Sequence, residues 1–457
     1  MFAYWQEPFL VALAGYRTWP CANRGDAYTF RTGSRRQRGS RTGPAQCRGR
    51  DCMTSPRLLA RRSDAPTTDS WSPASWRTLP IEQQPPWPDR DELEAVADYL
   101  HGLPALTPAD EILRLREDLA KASAGQAFLL QAGDCAEPLG LAATASARMK
   151  HTVIASLTAR LERELHRPAV GVGRLAGQFA KPRSEPFESV NGQLLPAFRG
   201  LMVNEPDASS QARLPDPYRL LSCYYTARQV VAELAAAGGG VRTSHEVLIL
   251  EYEQALTRYD EVTDQWFLRS THLPWVGDRT RRLDGAHLHF LAGLANPVAV
   301  KVGPTATPEQ VVQMCDLLDP HRLPGRLTLI SRMGHRHVTD HLPPLVRAVA
   351  DAGHAAGWVC DAMHGNTVRG AGGVKTRHLD AIVTELTTFV EVLHSHGREP
   401  AGLHLELAAD DVTECVGGVS VADESHLSRA YRSLCDPRLN NEQVEMVVDA
   451  FIAAMHR

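Results

Sequence analysis

The sequence predicts an α/β protein built as a (β/α)8 TIM barrel with an N-terminal helical extension. Three observations favour this fold. Eight short apolar runs begin at Phe128, several segments between them have the apolar stripe of a helix, and nearly every run ends in a cation or a metal-ligating side chain. Barrel active sites lie at the C-terminal ends of the strands, so the polar residues stand where this fold would use them.

The composition is that of a globular protein without a general affinity for nucleic acid. The chain has 457 residues, of which 43% are hydrophobic and 22% charged, and its formal net charge is −4. No apolar run reaches the roughly 18 residues of a membrane span. The nine cysteines are odd in number and irregularly spaced, which indicates a reducing compartment rather than a disulfide framework. We therefore expect a cytoplasmic protein that binds neither nucleic acid nor a membrane.

Residues 1–70 are predicted to form an unstructured basic leader. Residues 1–52 contain nine arginines and three acidic residues, and the tract 31–50 has almost no apolar side chains. Such a segment buries too little apolar surface to offset the entropy of ordering. We interpret it as a non-essential leader, translated from upstream of a start at Met53. A targeting or RNA-binding arm is the alternative.

Residues 71–125 predict the helical extension. Asp89 followed by Glu92 is the signature of a capped helix start, and an apolar stripe continues from there. A second helix begins at Pro108, because proline is favoured at the first helical position. The two predicted helices span residues 89–101 and 107–121.

The barrel domain is predicted over residues 126–457. Its strands are predicted at 128–131, 169–175, 241–244, 266–276, 297–302, 327–331, 358–361 and 402–407. The third is the weakest because polar residues interrupt its apolar pattern. Helical stripes separate several of the strands, for example at 308–318 and 379–393.

One group of strand-end residues has the side chains of a metal site. Its members are Cys135, His364, Glu406 and Asp436. A thiolate, an imidazole and two carboxylates form a set of mixed softness, which suits Mn, Co, Fe or Zn better than Mg or Ca. Taken singly, each residue also fits an ordinary role, such as a small core cysteine or a hydrogen-bonded histidine.

A second group of strand-end residues is cationic. It consists of Arg174, Lys181, Arg183, Arg279, Lys301 and Arg332. Six converging cations repel one another unless a multiply charged anion neutralises them, and arginine and lysine both bind phosphate and carboxylate. Exposed charges paired with acids are the alternative. However, each cation lies in or just after an apolar strand, where an unpaired charge is costly. The group therefore predicts polyanionic substrates.

The motifs around these residues resemble the type II family of 3-deoxy-D-arabino-heptulosonate 7-phosphate (DAHP) synthases. The matching stretches are 128–137, 174–184, 243–246, 275–280, 284–287, 296–297, 301–304, 331–334, 364–367, 412–418 and 435–440. The resemblance runs from about Trp76 to the C-terminus. It implies an enzyme that condenses phosphoenolpyruvate with erythrose 4-phosphate and releases phosphate.

The resemblance also implies roles for the two groups of residues. Cys135, His364, Glu406 and Asp436 match the family's ligands for a divalent metal, expected to be Mn²⁺ or Co²⁺, with Fe²⁺ or Zn²⁺ as alternatives. Arg174, Lys181, Arg279, Lys301 and Arg332 match its phosphoenolpyruvate clamp, and Arg183 and Ser184 match its erythrose 4-phosphate site. Asp278, beside the clamp residue Arg279, is expected to contribute to substrate binding. Lys181 is expected to move a proton, with a pKa lowered by neighbouring cations. A homodimer or homotetramer is expected.

The sequence departs from the family pattern at three positions. Leu201 stands where the family has aspartate, Asp278 where it has glutamate, and Ala362 where it has proline. The first two leave open an amino-DAHP synthase that uses an imine of erythrose 4-phosphate. A catalytically weak regulatory paralogue, for instance of a chorismate mutase, is the other alternative, although no metal ligand or clamp cation is lost.

The region between Ser184 and Thr243 is shorter than in the longest family members. Those members carry an extra helical pair that helps to bind inhibitory aromatic amino acids, whereas this region predicts one helix at 217–237. The chain therefore resembles the short members that serve secondary pathways such as phenazine synthesis. We expect no inhibition by aromatic amino acids.

Overall fold

Eight parallel strands close into a barrel in the computed structural model, which describes residues 71–457 except for the side chain of Ala371. The barrel strands, numbered among all strands of the chain, are β1 Phe128–Gly133, β2 Ala169–Arg174, β5 Val241–Glu246, β8 Leu273–Val276, β9 Val298–Val302, β10 Leu327–Ser331, β11 Gly357–Cys360 and β14 Pro400–Glu406. Around the barrel they follow the order β1, β14, β11, β10, β9, β8, β5, β2, and β2 pairs with β1 to close it. The predicted fold class is confirmed. The predicted leader, residues 1–70, and the start at Met53 lie outside the described residues.

Helices precede and separate the barrel strands. They are α1 Arg90–His101, α2 Ala109–Ser123, α3 Leu141–Leu165, α4 Arg219–Ala236, α5 Leu250–Ala255, α6 Ala286–Ala292, α7 Pro308–Leu318, α8 Val338–Asp351, α9 Leu379–Ser395 and α10 Asn441–Met455. The predicted cap is confirmed, since Asp89 accepts hydrogen bonds from the backbone N–H groups of Asp91 and Glu92. None of the helices described within residues 71–457 is long and apolar enough to span a membrane.

Three antiparallel hairpins extend the loops of the barrel. They are β3 Phe187–Val190 with β4 Gln193–Pro196, β6 Thr257–Asp260 with β7 Gln265–Leu268, and β12 Val368–Arg369 with β13 Lys375–Thr376. The prediction of one strand over 266–276 is therefore wrong. Its first half belongs to the β6–β7 hairpin, and the polar residues at 269–272 turn the chain into β8. An apolar run alone does not distinguish a hairpin strand from a barrel strand.

The weakly predicted third strand is a full barrel strand, β5. Ser244 within it is fully buried and hydrogen-bonded: its Oγ donates to Gly173 O at 3.1 Å and accepts from Gln131 Nε2 at 2.9 Å. Buried polar groups with partners cost little, so β5 does not need an apolar pattern.

Helix α2 closes the N-terminal end of the barrel. Leu115, Leu119 and Ala122 belong to one buried cluster with the strand residues Leu129 and Ile330. The approach is close, because a Cβ at Gly325, just before β10, would lie 2.0 Å from Arg116 O. The chain also has φ +74° at Gly325, a conformation that glycine tolerates best. The C-terminal ends of the strands are left for polar residues.

We predict that Leu115→Ala destabilises the protein by about 3 kcal/mol, because it leaves a cavity between α2 and the barrel interior. Denaturant unfolding monitored by circular dichroism measures the change. Arg114→Ala is the control on the same helix; its side chain is 53% exposed, and the expected cost is below about 0.5 kcal/mol. Equal stability of the two variants would contradict the assignment of α2 as part of the barrel core.

Candidate functional site

The four predicted metal ligands meet at the C-terminal end of the barrel. Cys135 follows β1 and Glu406 ends β14, and these neighbouring strands pair Gly133 with Glu406. The ligand atoms of Cys135, Glu406 and Asp436 all lie within 4.8 Å of one another. His364, in the turn after β11, places Nε2 at 3.1 Å from Glu406 Oε1. The structure therefore groups Cys135, Glu406 and Asp436 together, and His364 joins them through Glu406.

The protonation of this cluster fits a divalent cation. Burial raises the pKa of the Cys135 thiol well above its ordinary value, and a hydrogen bond to Cys435 and the negative charge of Glu406 add to the shift. Burial also opposes ionisation of Glu406, but the positive charges of His364, Arg377 and Arg174 lower its pKa well below the usual range. A bound cation favours the thiolate, which makes cysteine a ligand. The donor set therefore suits a metal of intermediate softness.

Asp361 is a functional residue that the sequence analysis missed. It is fully buried, and its Oδ2 lies 2.8 Å from His364 Nδ1 and 2.8 Å from Lys301 Nζ. A carboxylate on one ring nitrogen orients the histidine and leaves the other nitrogen for a metal. Asp361, His364 and His404 also form a second group of converging metal-ligating side chains. Asp361 is the last residue of the strand predicted at 358–361, and this position could have identified it from the sequence.

Two of the predicted clamp cations, Arg174 and Lys301, lie over the aromatic ring of Trp275. Arg174 Cζ lies 5.3 Å and Lys301 Nζ 4.5 Å from the ring centroid of Trp275, within range of cation–π attraction. Arg174 also donates to Asp134 O at 2.9 Å and to Glu406 Oε1 at 2.9 Å. Both cations are buried and paired with acids, so they are neither exposed nor free to move.

Arg332, Asp278 and Arg279 form a separate set of contacts within the predicted clamp. Arg332 pairs with Asp278 at 2.8 Å and donates to His364 O at 3.1 Å. Arg279 donates to Ser184 Oγ at 2.8 Å. Asp278 also accepts a hydrogen bond from Gly303 N at 3.1 Å. Although aspartate is one methylene shorter than the glutamate of the family, it still reaches Arg332.

The two buried lysines have opposite pKa shifts, and the prediction for Lys181 is wrong. Burial lowers the pKa of Lys181, but the negative charges of Cys135, Glu406 and Asp436 raise it further than burial lowers it. Burial lowers the pKa of Lys301 to about 8, only partly opposed by Asp361. Lys181 faces the acidic ligands rather than the other cations, which linear sequence does not reveal.

The site opens into a cavity of about 620 Å³. Its lining includes Lys181, Pro182, Arg183, Ser184, Glu185, Phe187, Glu188, Ser189, Arg279, Arg369, Lys375, Leu434, Cys435 and Asp436. Cations outnumber acids in this wall, so the cavity favours anions. Arg183 itself is held by an ion pair with Glu188 of the β3–β4 hairpin.

Comparison with known proteins identifies the family. The sequence profile of the Class-II DAHP synthetase family matches residues 71–242 and 237–453. The chain belongs to this family. It is 38% identical to the phospho-2-dehydro-3-deoxyheptonate aldolase of Streptomyces coelicolor, over 84% of this chain and 97% of the relative. It is 43% identical to the probable phospho-2-dehydro-3-deoxyheptonate aldolase of Pseudomonas fluorescens, over 81% of this chain and 94% of the relative.

The family confirms the resemblance found in the motifs. The DAHP synthases are enzymes of the transferase class, and the chain is such an enzyme.

Two further cations pair with the predicted metal ligands Asp436 and Glu406. Lys375 Nζ lies 2.7 Å from Asp436 Oδ1, and Arg377 Nη2 lies 2.8 Å from Glu406 Oε2. Lys375 lies in β13 and Arg377 directly follows this hairpin strand, so a search of barrel-strand ends passes over them. Lysine is scarce in this chain, with five among 457 residues, and that scarcity could have drawn attention to Lys375.

Cys435 lies beside the predicted metal ligand Cys135. The two side chains are hydrogen-bonded, which lowers the pKa of the Cys435 thiol, and both pack in a small apolar cluster with Phe198 and Leu201. Both thiols are free in the structure. Neighbouring thiols, one of them with a lowered pKa, are the arrangement that oxidation converts to a disulfide.

We predict that peroxide treatment of the metal-free enzyme forms a Cys135–Cys435 disulfide and prevents activity from returning when metal is added back. Bound metal should protect, because it occupies the Cys135 thiolate. Non-reducing peptide mapping by mass spectrometry measures the bond. Cys223, buried in another core cluster, is an internal control that should stay reduced. Recovery of both Cys135 and Cys435 as free thiols after inactivation would exclude the disulfide.

Proposed function

We propose that the enzyme condenses phosphoenolpyruvate with erythrose 4-phosphate and water to give DAHP and inorganic phosphate, with Mn²⁺ or Co²⁺ as the expected metal and Fe²⁺ or Zn²⁺ as alternatives. One observation carries the proposal. A cluster of thiol, imidazole and carboxylates lies directly beside buried, oriented cations at one end of the barrel. A Lewis acid next to an anion clamp is what joining an aldehyde to a phosphorylated enol requires.

The metal-binding side chains are Cys135, His364, Glu406 and Asp436. A divalent ion held there would supply Lewis-acid polarisation of the aldehyde oxygen. Arg183 and Ser184, at the cavity wall, bind the phosphate of erythrose 4-phosphate. These contacts turn the carbonyl carbon towards the second substrate.

Phosphoenolpyruvate binds to the inner clamp. Arg174 and Lys301 meet its charged groups from the face of Trp275, and Arg332, held by Asp278, meets them from the opposite loop. The clamp aligns C3 of the enol with the aldehyde carbon, which replaces a bimolecular encounter by a bound one. A C–C bond then forms, water adds to the cationic C2, and phosphate leaves from that carbon.

Lys181 provides the proton that the former aldehyde oxygen takes up when the C–C bond forms. Its raised pKa keeps Nζ charged among Glu406 and Asp436, at 3.9 Å and 3.6 Å. It therefore donates to the alkoxide oxygen that forms from the aldehyde as the C–C bond is made. A lysine with a low pKa would lack this proton at neutral pH.

Two substitutions keep amino-DAHP synthesis as a second candidate. Leu201 packs on the apolar cluster of Cys135 and Cys435 where the family has a charged side chain, and Asp278 is one methylene shorter than glutamate. An assay of phosphate release with erythrose 4-phosphate and with its imine distinguishes the two substrates. We expect the aldehyde to be preferred, because Asp278 still holds Arg332.

The compartment, the assembly and the pathway of the enzyme follow from the sequence and the family resemblance. We infer a cytoplasmic homo-oligomer that feeds a secondary pathway. The secondary pathway is supported by the short region between β2 and β5. Among the described residues, this region has the β3–β4 hairpin and the single long helix α4.

We predict that Cys135→Ser and His364→Ala each lower kcat by more than about 100-fold, because the metal supplies several kcal/mol of charge stabilisation. Phosphate release and metal content by mass spectrometry measure the effect. Cys315→Ser, a buried thiol on α7, is the control and should keep both metal and activity. Near-normal turnover of either ligand variant in chelator-treated buffer would show that the metal assignment is wrong.

We predict full activity in millimolar phenylalanine, tyrosine and tryptophan, alone and in pairs. Inhibition requires a site whose affinity differs between active and inactive states, and the helical pair that helps to form it in longer members is missing. Phosphate release at each amino acid concentration tests this. Clear inhibition by any combination would refute assignment to the short, uninhibited subgroup.

A further inference from the structure

Helix α9 inserts a buried carboxylate between two loops of the active site. Glu385 is fully buried, and its Oε1 accepts from Gly334 N at 2.8 Å while its Oε2 accepts from Asn366 Nδ2 at 2.7 Å. Gly334 lies two residues after the clamp residue Arg332, and Asn366 lies two residues after the metal ligand His364. One side chain behind the barrel therefore joins the phosphoenolpyruvate clamp to the metal centre.

We propose that Glu385 is a positioning residue that sets the distance between Arg332 and His364 and thereby couples metal binding to phosphoenolpyruvate binding. The inference rests on the proposed function for the identity of the two ligands. Its structural part, the fixing of His364 through Asn366, does not require a substrate.

The two loops are in direct contact, so a shift of one moves the other. A Cβ at Gly365 would lie 2.3 Å from Gly334 N, which leaves no space between the backbones. Arg332 Nη2 donates to His364 O at 3.1 Å. The clamp cation is thus bonded to the backbone of the metal ligand, and Glu385 bonds both loops from below this contact.

Asn366 has no freedom to adjust. Its Nδ2 donates to Ala362 O at 2.8 Å as well as to Glu385, and its Oδ1 accepts from His335 N at 3.0 Å. The amide orientation is therefore determined by its backbone partners, and a donor must face Glu385. Only a side chain that accepts twice satisfies both Gly334 and Asn366, and a carboxylate does so.

The cost of burying Glu385 indicates a purpose beyond packing. Its neighbours on the same face of α9 include Ile382, Leu386 and Phe389, which belong to the apolar core. Burial raises the pKa of Glu385 to about 8, with the two N–H donors opposing and Asp361 adding to the shift. No ion pair to Glu385 is found in residues 71–457 of the structure. A buried polar group that is not needed for geometry is commonly replaced by an apolar one without loss of stability.

Glu385→Gln separates the positioning role from the packing role. Glutamine has the same shape but offers one acceptor and one donor, so either Gly334 or Asn366 loses its bond. We expect the Kd for Mn²⁺, measured by the electron paramagnetic resonance signal of free Mn²⁺ without substrates, to rise about tenfold or more. We expect KM for phosphoenolpyruvate to rise with it. KM for erythrose 4-phosphate should stay within about twofold, because Arg183 and Ser184 follow another strand.

The matched control is Glu391→Gln on the same helix, whose side chain is 62% exposed. It should leave both KM values and the Kd for Mn²⁺ unchanged. If Glu385→Gln does not fold, Glu385→Asp replaces it: the carboxyl group remains, but the side chain is too short to reach both loops, and the same split is expected.

Two results would overturn the inference. One is a Kd for Mn²⁺ in the folded variant equal to that of Glu391→Gln. The other is an equal rise of both KM values together with a lower melting temperature, which indicates general loosening of the fold. Failure of the proposed function has a different signature, since the unmodified enzyme would then release no phosphate while the Mn²⁺ comparison still tests Glu385.

Discussion

The charge of one buried carboxylate, Glu406, organises the site. It is fully buried at the end of β14, and its oxygens lie 2.9 Å from Arg174, 2.8 Å from Arg377 and 3.1 Å from His364. A charge removed from water is stable only if it is paired and hydrogen-bonded. Glu406 therefore gathers Arg174, His364 and Arg377 around itself. The proposed metal centre and the proposed anion clamp are parts of one electrostatic network.

The parallel barrel makes this concentration of charge possible. Its N-terminal end is closed by the apolar side of α2, so stability comes from Leu115, Leu119 and their neighbours. Its C-terminal end collects the last residues of every strand, which lets short loops bring chemistry from distant segments to one point. Apolar packing and charged chemistry are separated along the barrel axis, and each can be satisfied without weakening the other.

The environment of each side chain determines its role more than its type does. Lys181 and Lys301 are both buried lysines in strand-end motifs, yet the acids around Lys181 keep its pKa high while burial lowers that of Lys301 to about 8. Asp361 and Glu406 are both buried acids with lowered pKa values, because histidine and other cations surround them. Glu385, with two neutral donors and no cation, shifts in the opposite direction.

The sequence by itself determined the fold class, about half of the helices, most barrel strands and the polar residues at the strand ends, because apolar periodicity and strand-end chemistry are local properties. The tertiary structure decided which part of 266–276 enters the barrel, since hairpin and barrel strands share one pattern. It also decided the partners of each charge. Arg174 and Glu406 are 232 residues apart, and Lys375 and Asp436 are 61 apart, so their contacts exist only after the barrel closes. Charge pairing and burial depend on distance in space, and a linear pattern contains no such distance.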